Sequence, residues 1–138
     1  YEITLENYCK SVNIEVSTMI DMAKKEILPA VAGYSAALAK NIAAKKKALG
    51  EVPCAYETKT AAKLCALTDE IGAATEALEK AQHAYATVSD ITEAADMIRD
   101  EILGKMAELR VVCDEAETMT AKEYWPFPTY GDLLFGVR

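Results

Sequence analysis

Four cysteines, one histidine and 22 acidic side chains are the residues of this 138-residue chain that could support catalysis or bind a metal. Cys9, Cys54, Cys65 and Cys113 form no CxxC pair and no Cys/His cluster, which are the spacings expected of a zinc site. His83 has no second His, Cys or Asp four residues away that could assist it. We therefore predict a surface histidine and no metal site.

The acidic residues have the distribution of a solvated helix face. Pairs such as Glu76 and Glu79 have no apolar surroundings that would raise a carboxyl pKa, as general acid catalysis requires. The sequence also lacks a Gly-rich phosphate loop and a Ser-His-Asp nucleophile motif. We expect no catalytic residue and no cofactor-binding residue in this chain.

The cysteines are expected to be reduced. Cys9 and Cys113 fall on apolar helical stripes, where a free thiol behaves as a small hydrophobic side chain, whereas a loop position leaves redox sensing open for Cys54. The chain has ample apolar periodicity and no signal peptide, unlike a disulfide-stabilised secreted domain. A cytoplasmic location is predicted.

The net charge of −7 argues against two classes of partner. Nucleic acid and acidic lipid surfaces are bound through clustered basic residues, and the single basic run, Lys45 to Lys47, closes an apparent helix where cations complement the helix dipole. No stretch approaches the roughly 18 uninterrupted apolar residues of a membrane span. We expect neither a nucleic-acid nor a membrane partner.

Apolar residues recur at steps of three and four along two long segments, which predicts two amphipathic helices. The first of them covers about 56–86, and the other follows the polar stretch Thr87 to Asp90, with Ser89 as a plausible N-cap. The predicted stripes are Leu64, Leu67, Ile71, Ala74, Leu78, Ala81, Tyr85 and Val88, then Ile91, Ala95, Ile98, Ile102, Met106, Leu109, Cys113 and Ala116.

The first 49 residues also have a helical stripe, which Pro29 interrupts. The stripe is Leu5, Cys9, Val12, Val16, Met19, Ala23 and Ile27, continued by Val31, Tyr34, Leu38, Ile42 and Leu49. Proline removes a backbone donor and clashes with the preceding turn, so we expect a kink or a break near Pro29. Gly50 with Pro53 predicts a firm stop.

Together these segments predict an all-α fold, an elongated antiparallel three-helix bundle over residues 1–123. Short connections can only bring each helix back beside the last one. A break at Pro29 would give a four-helix arrangement instead. The chain begins without Met, so we expect it to be a piece of a larger protein.

Residues 124–138 form a different kind of segment, an aromatic C-terminal tail. "YWPFPTYGDLLF", Tyr124 to Phe135, holds five of the ten aromatic residues and two of the four prolines. Prolines favour extended backbone in the residue before them, so this strip should leave the helices. Large aromatic side chains must dock on this bundle or on another domain or subunit. The candidate docking residues are Trp125, Phe127, Tyr130, Leu133 and Phe135.

"YWPFPTYGDLLF" resembles the C-terminal signature of type III glutamine synthetases, which are glutamate–ammonia ligases. "YEITLENYCKSVNIEVSTMIDMAKKEILPA" and "LRVVCDEAETMTAKEYWPFPTY" are similar to the same family, so the resemblance spans nearly the whole chain. It implies a C-terminal helical domain of an oligomeric enzyme that joins ammonia to glutamate with ATP and Mg²⁺. The family's ligand residues lie in upstream catalytic domains, so the resemblance transfers no catalytic position to this chain.

Two hypotheses follow for the function. In the first, the chain is a non-catalytic accessory domain whose partners are the catalytic domain of the same chain and neighbouring subunits of a homo-oligomer. In the second, it is a free-standing helical scaffold that docks through its aromatic tail.

Overall fold

A computed structural model describes residues 2–128, which contain three helical segments and no strand. The first segment comprises α1 (Glu2–Met22), a π-helical turn (Ala23–Ile27) and α2 (Leu28–Leu49). The second is α3 (Ala55–Ala86), and the third comprises α4 (Ile91–Met97), a π-helical turn (Ile98–Ile102) and α5 (Leu103–Met119). The all-α prediction is confirmed for this part of the chain.

Pro29 does not divide the first segment. The Leu28 N–H bonds to the Ala23 carbonyl five residues back, and Pro29 follows in the first turn of α2. The wider π-helical turn relieves the clash between a proline ring and the preceding turn, and proline is tolerated in a first helical turn. Of the two expected outcomes, a kink or a break, the break is therefore wrong, and so is the four-helix alternative.

Both π-helical turns lie where the apolar stripe takes consecutive four-residue steps. The first stripe takes three such steps from Met19 to Val31, and the third takes two from Ile98 to Met106. In a regular α-helix of 3.6 residues per turn, each step of four would rotate the stripe away from its partner. A turn that accommodates one more residue absorbs this surplus and keeps the stripe on the core.

The core consists mainly of the predicted apolar residues. Those almost fully buried include Val16, Val31, Leu64, Leu67, Ile71, Leu78, Ile98, Ile102 and Leu109. The predicted stripes miss Ile20, Thr75 and Ala94, which are buried, and they include Met19, Ala74 and Ala95, which are only partly buried. Leu49 is 68% exposed and is not a core residue.

Polar groups and backbone conformation set the helix ends. The Gly50 backbone, with φ +80°, donates its N–H to the Lys46 carbonyl at 2.9 Å and ends α2, as predicted. Asp90 caps α4, because its carboxylate accepts the Glu93 N–H at 2.9 Å. Ser89 is therefore not the cap.

Polar contacts connect the segments in a regular order. Gln82 of α3 donates to Asn13 and Ser17, and Lys24 lies 2.8 Å from the Glu79 carboxylate. Lys45 pairs with Glu57 near the Gly50 turn. From one contact to the next, the residue numbers rise along the first segment, from 13 to 45, and fall along the second, from 82 to 57.

The second and third segments also contact each other, and α4 packs on α1. Lys63 of α3 lies 3.1 Å from Glu115 of α5. All three segments therefore contribute to one core.

By length and composition alone, the helix over Ile3–Leu49 could cross a membrane. A core helix of a folded domain meets the same criterion, and this helix supplies core residues such as Val16 and Val31.

Candidate docking surface

The aromatic tail begins with a tight turn at the end of α5. Thr120 leaves helical geometry, and its N–H and its hydroxyl both donate to the Ala116 carbonyl, at 2.9 and 2.7 Å. The Tyr124 N–H then bonds to the Ala121 carbonyl at 2.9 Å. The Trp125 N–H is shared between the Ala121 and Lys122 carbonyls at 3.2 Å each. These bonds satisfy the last donors before Pro126, which has none.

The next four residues alternate in burial. Trp125 and Phe127 are partly buried and pack against the core, whereas Pro126 and Pro128 are exposed. Side chains thus alternate between the core and the solvent, while the backbone bends at Pro126 and Phe127. The two rings meet edge to face, with centroids 6.2 Å apart and planes at 77°.

The two rings line a groove of about 340 Å³ between the first and third segments. The other lining residues are Met19, Met22, Ala23 and Ile27 from the first segment, and Leu109, Arg110, Cys113, Asp114 and Glu117 from α5. Apolar groups thus form the floor, and charged groups of α5 contribute the rest of the lining. This surface, which we call the tail groove, receives an aromatic strip.

A second aromatic contact secures the turn. The Tyr124 ring lies 5.1 Å from the Tyr34 ring, between centroids, at an angle of 44°. Burial raises the pKa of the Tyr34 hydroxyl, and the interaction with the Tyr56 hydroxyl raises it further. The start of the tail is therefore held by α2, and its next residues line a groove together with α1, the π-helical turn Ala23–Ile27 and α5.

Cys113 lies in the floor of the tail groove with only 9% of its surface exposed. Burial raises the pKa of its thiol to about 11, and the neighbouring Asp114 carboxylate adds to this effect. The thiol thus stays protonated at neutral pH, and a protonated thiol is a poor nucleophile. Cys113 therefore acts as a small apolar side chain in this groove, as its place on the stripe predicted.

The remaining candidates for chemistry are dispersed. His83 is exposed, as predicted, Cys9 is buried, and Cys65 is exposed. Cys54 is partly buried in the connection before α3, with a left-handed backbone at φ 45°. Within residues 2–128, no three His, Cys, Asp or Glu side chains form a group that could hold a metal ion. The absence of catalytic and cofactor-binding residues stays a prediction.

Of the five predicted docking residues, the structure places Trp125 and Phe127 together in the tail groove. Tyr130, Leu133 and Phe135 lie outside the described residues. Sequence reasoning missed the receiving surface, in particular Met19, Met22 and Arg110. Periodicity within each helix gave no signal for this surface, because it does not show which faces of two helices meet.

A family model described as the glutamine synthetase C-terminal domain matches residues 1–46. A glutamine synthetase of Butyrivibrio fibrisolvens is 36% identical over 138 residues, which cover all of this chain and 20% of the relative. A type-3 glutamine synthetase of Dictyostelium discoideum is 24% identical over 144 residues, which cover 97% of this chain and 19% of the relative. The chain spans about a fifth of the length of these curated relatives.

Proposed function

We propose that this chain is the C-terminal domain of a member of the glutamine synthetase family and serves as the non-catalytic accessory domain of a type III enzyme. The observation that carries the proposal is the 36% identity along the whole chain to a fifth of a glutamine synthetase. A similarity that covers all of one chain and a small part of the other is what a shared domain of a longer protein would give. The catalytic residues would then lie in the remaining four fifths of the longer protein.

We propose further that the three segments form an elongated antiparallel bundle. The reversed order of the contacts between the first and second segments supports this arrangement, as does the Lys63–Glu115 pair between the second and third. Short connections, Gly50 to Cys54 and Thr87 to Asp90, favour neighbouring helices that reverse direction. A long rigid element of this kind can brace two bodies at a fixed distance.

The proposed partners are the catalytic domain of the same protein and neighbouring subunits of a homo-oligomer in the cytoplasm. The longer enzyme would use ATP and Mg²⁺ to make glutamine from glutamate and ammonia. Its accessory domain would contribute contacts and no chemistry. The alternative of a free-standing scaffold has no support from the relatives, which are named as glutamine synthetases.

Two measurements test the proposal. The gene upstream of the Tyr1 codon should contain an open reading frame for a glutamine synthetase catalytic domain. A start codon immediately before the Tyr1 codon would contradict the accessory role. The 138-residue chain by itself should make no glutamine from glutamate, ammonia and ATP with Mg²⁺. Turnover by the rigorously purified chain would show that it is catalytic.

Assembly can be tested in the longer protein. Removing residues 1–138 should change the number of subunits in the assembly, obtained from the molar mass by light scattering, or lower glutamine formation, because an interdomain or intersubunit contact is lost. A control variant that carries only Val111→Ala, a change at an exposed residue that does not line the tail groove, should keep both properties. An unchanged number of subunits and unchanged activity after the deletion would refute a role in assembly or bracing.

A further inference from the structure

The tail groove continues past Trp125 and Phe127 into a second depression of about 480 Å³. The two depressions share Met19 and Arg110. The second is also lined by Ile14, Glu15 and Thr18 of α1 and by Leu103, Met106 and Ala107 of α5. We call it the lower groove.

The lower groove exposes apolar side chains to water. Ile14 is 67% exposed and Leu103 is 40% exposed, and both line the groove together with the buried Met106. Apolar side chains gathered in a concave surface, with Glu15 and Arg110 beside them, resemble the receiving side of a contact. The tail groove also combines apolar and charged residues, and two aromatic rings of the tail form part of its wall.

The direction of the described tail leads toward the lower groove. Helix α5 ends at Met119, yet Trp125 and Phe127 lie beside Leu109 to Glu117. The strip therefore turns back along α5 toward lower residue numbers, and the lower groove begins at Arg110 and reaches Leu103.

The remaining chain has the length and the chemistry to fill that surface. Ten residues follow Pro128, and even half of them, extended, would reach about 17 Å. The seven helical steps from Arg110 to Leu103 span only about 10 Å. The ten residues include the consecutive apolar side chains Leu133, Leu134 and Phe135.

We propose that residues 129–138 occupy the lower groove, where Leu133 to Phe135 cover Ile14, Leu103 and Met106. A second copy of the chain could supply similar side chains, but the tail is already attached at the mouth of the groove. Attachment through a short linker gives a segment a high effective concentration at its site, and this favours its own chain. The proposal does not depend on the glutamine synthetase assignment, so its failure would leave that assignment intact.

Photochemical cross-linking tests this placement. We would replace Phe135 with p-benzoylphenylalanine, which on irradiation inserts into nearby C–H bonds, and locate the cross-link by peptide mass spectrometry. The expected product is an intramolecular link from residue 135 to a peptide that holds residues 14–19 or 103–110. Its yield should be independent of protein concentration, since both ends belong to one chain.

Three controls make the result decisive. The same group at Phe127 should link to the peptide that holds Met19 and Met22, which shows that the photochemistry works in the tail groove. Adding Leu103→Glu should lower the yield from residue 135 at least fivefold, because it places a charge among apolar groups. Val111→Glu, an equally drastic change at a 65% exposed site outside both grooves, should leave the yield unchanged.

Every other product would overturn the proposal. A link between two chains would assign the lower groove to a second copy. A link to any other intramolecular peptide would place the end of the chain elsewhere. An absent link, with the Phe127 control intact and helical circular dichroism unchanged, would show that the lower groove is open to other partners.

Discussion

Trp125 is the only tryptophan of the chain, so it both contributes to the tail contact and reports on it. Its ring is partly buried against the core beside Phe127. Tryptophan emission shifts to shorter wavelength when the ring leaves water. We expect a blue-shifted spectrum from the native 138-residue chain, and a water-like spectrum would show that the tail leaves the groove in solution.

Trp125→Ala should lower the free energy of unfolding by about 2 kcal/mol. Full truncation of a buried aromatic side chain costs about 3–5 kcal/mol, and this ring is only partly buried. Urea denaturation followed by circular dichroism would measure the loss without relying on the missing fluorophore. The matched control is Val111→Ala, whose exposed side chain should cost less than about 0.5 kcal/mol.

Cys113 should resist alkylation at pH 8 in the folded chain while the exposed Cys65 reacts. The pKa of the Cys113 thiol is about 11, so almost no thiolate is present at pH 8, and burial also blocks the reagent. Peptide mapping after iodoacetamide treatment, with and without urea, would distinguish the two sites. Equal labelling rates in the native chain would contradict a buried, protonated Cys113.

The same pKa shift predicts a dependence of stability on pH. A thiol whose pKa is higher in the folded state than in the unfolded state stabilises the fold fully below the unfolded value, near 9. That contribution is lost as pH rises toward about 11. The loss of unfolding free energy over this range should therefore be smaller in Cys113→Ala than in the parent sequence.

At the level of the helical elements, the π-helical turns explain where the sequence-based interpretation succeeded and where it failed. Spacing identified three segments and most core positions, because burial requires an apolar residue about once per turn. It did not show how a stripe with consecutive four-residue steps stays on the core. It also placed Ala74 and not Thr75 in the core, because a heptad template drifts against a helix of 3.6 residues per turn.

The second π-helical turn predicts an asymmetry between two deletions in the third segment. Removing Asp100 from Ile98–Ile102 would convert a wide turn into a regular one and leave both flanking helices in register. Removing Glu108 from α5 would rotate Leu109 and all later residues by about 100° and turn them away from the core.

We expect the Asp100 deletion to cost less than about 2 kcal/mol and the Glu108 deletion more than about 4 kcal/mol, which is in the range of severe core damage. Both deleted residues are exposed and acidic, so charge and burial are matched. Thermal unfolding followed at 222 nm would rank them. Comparable losses would show that the π-helical turn does not hold a surplus residue.

Helix capping gives a second test of the elements. Asp90→Ala should reduce the unfolding free energy by about 1 kcal/mol, because the Glu93 N–H loses its acceptor. Ser89→Ala at the preceding exposed position should change it by less than about 0.5 kcal/mol. The reverse order would restore Ser89 as the cap.

At the scale of the whole molecule, the length of the first helical segment sets the minimum length of the molecule. Its 48 residues form one uninterrupted helical run, which at 1.5 Å per residue is about 72 Å long. Small-angle X-ray scattering of the monomeric chain should therefore give a radius of gyration near 20 Å or more, the value for a rod of that length. A compact domain of 138 residues would give a radius of gyration of about 14 Å, and such a value would rule out a continuous 48-residue helix in the first segment.

At this scale the sequence predicted a resemblance to the glutamine synthetase C-terminal domain and an aromatic strip, but not the surface on which the strip packs. The strip is local, so its prolines and aromatic rings can be read from twelve consecutive residues. The tail groove joins Met19 of α1 to Cys113 of α5, 94 positions later. Which faces of two helices form a groove depends on how all three segments pack, and periodicity alone does not contain that information.

Pro126 and Pro128 have one more effect, on self-association. An extended strip with apolar side chains normally offers backbone donors to which a strand from another molecule can add, and this is how many aggregates begin. Here the outward positions of the strip, which are exposed, are both prolines and have no N–H to donate. One edge of the segment therefore lacks these two donors, which makes the segment a weaker template for intermolecular sheet formation, for example before the helices have packed in a newly made chain.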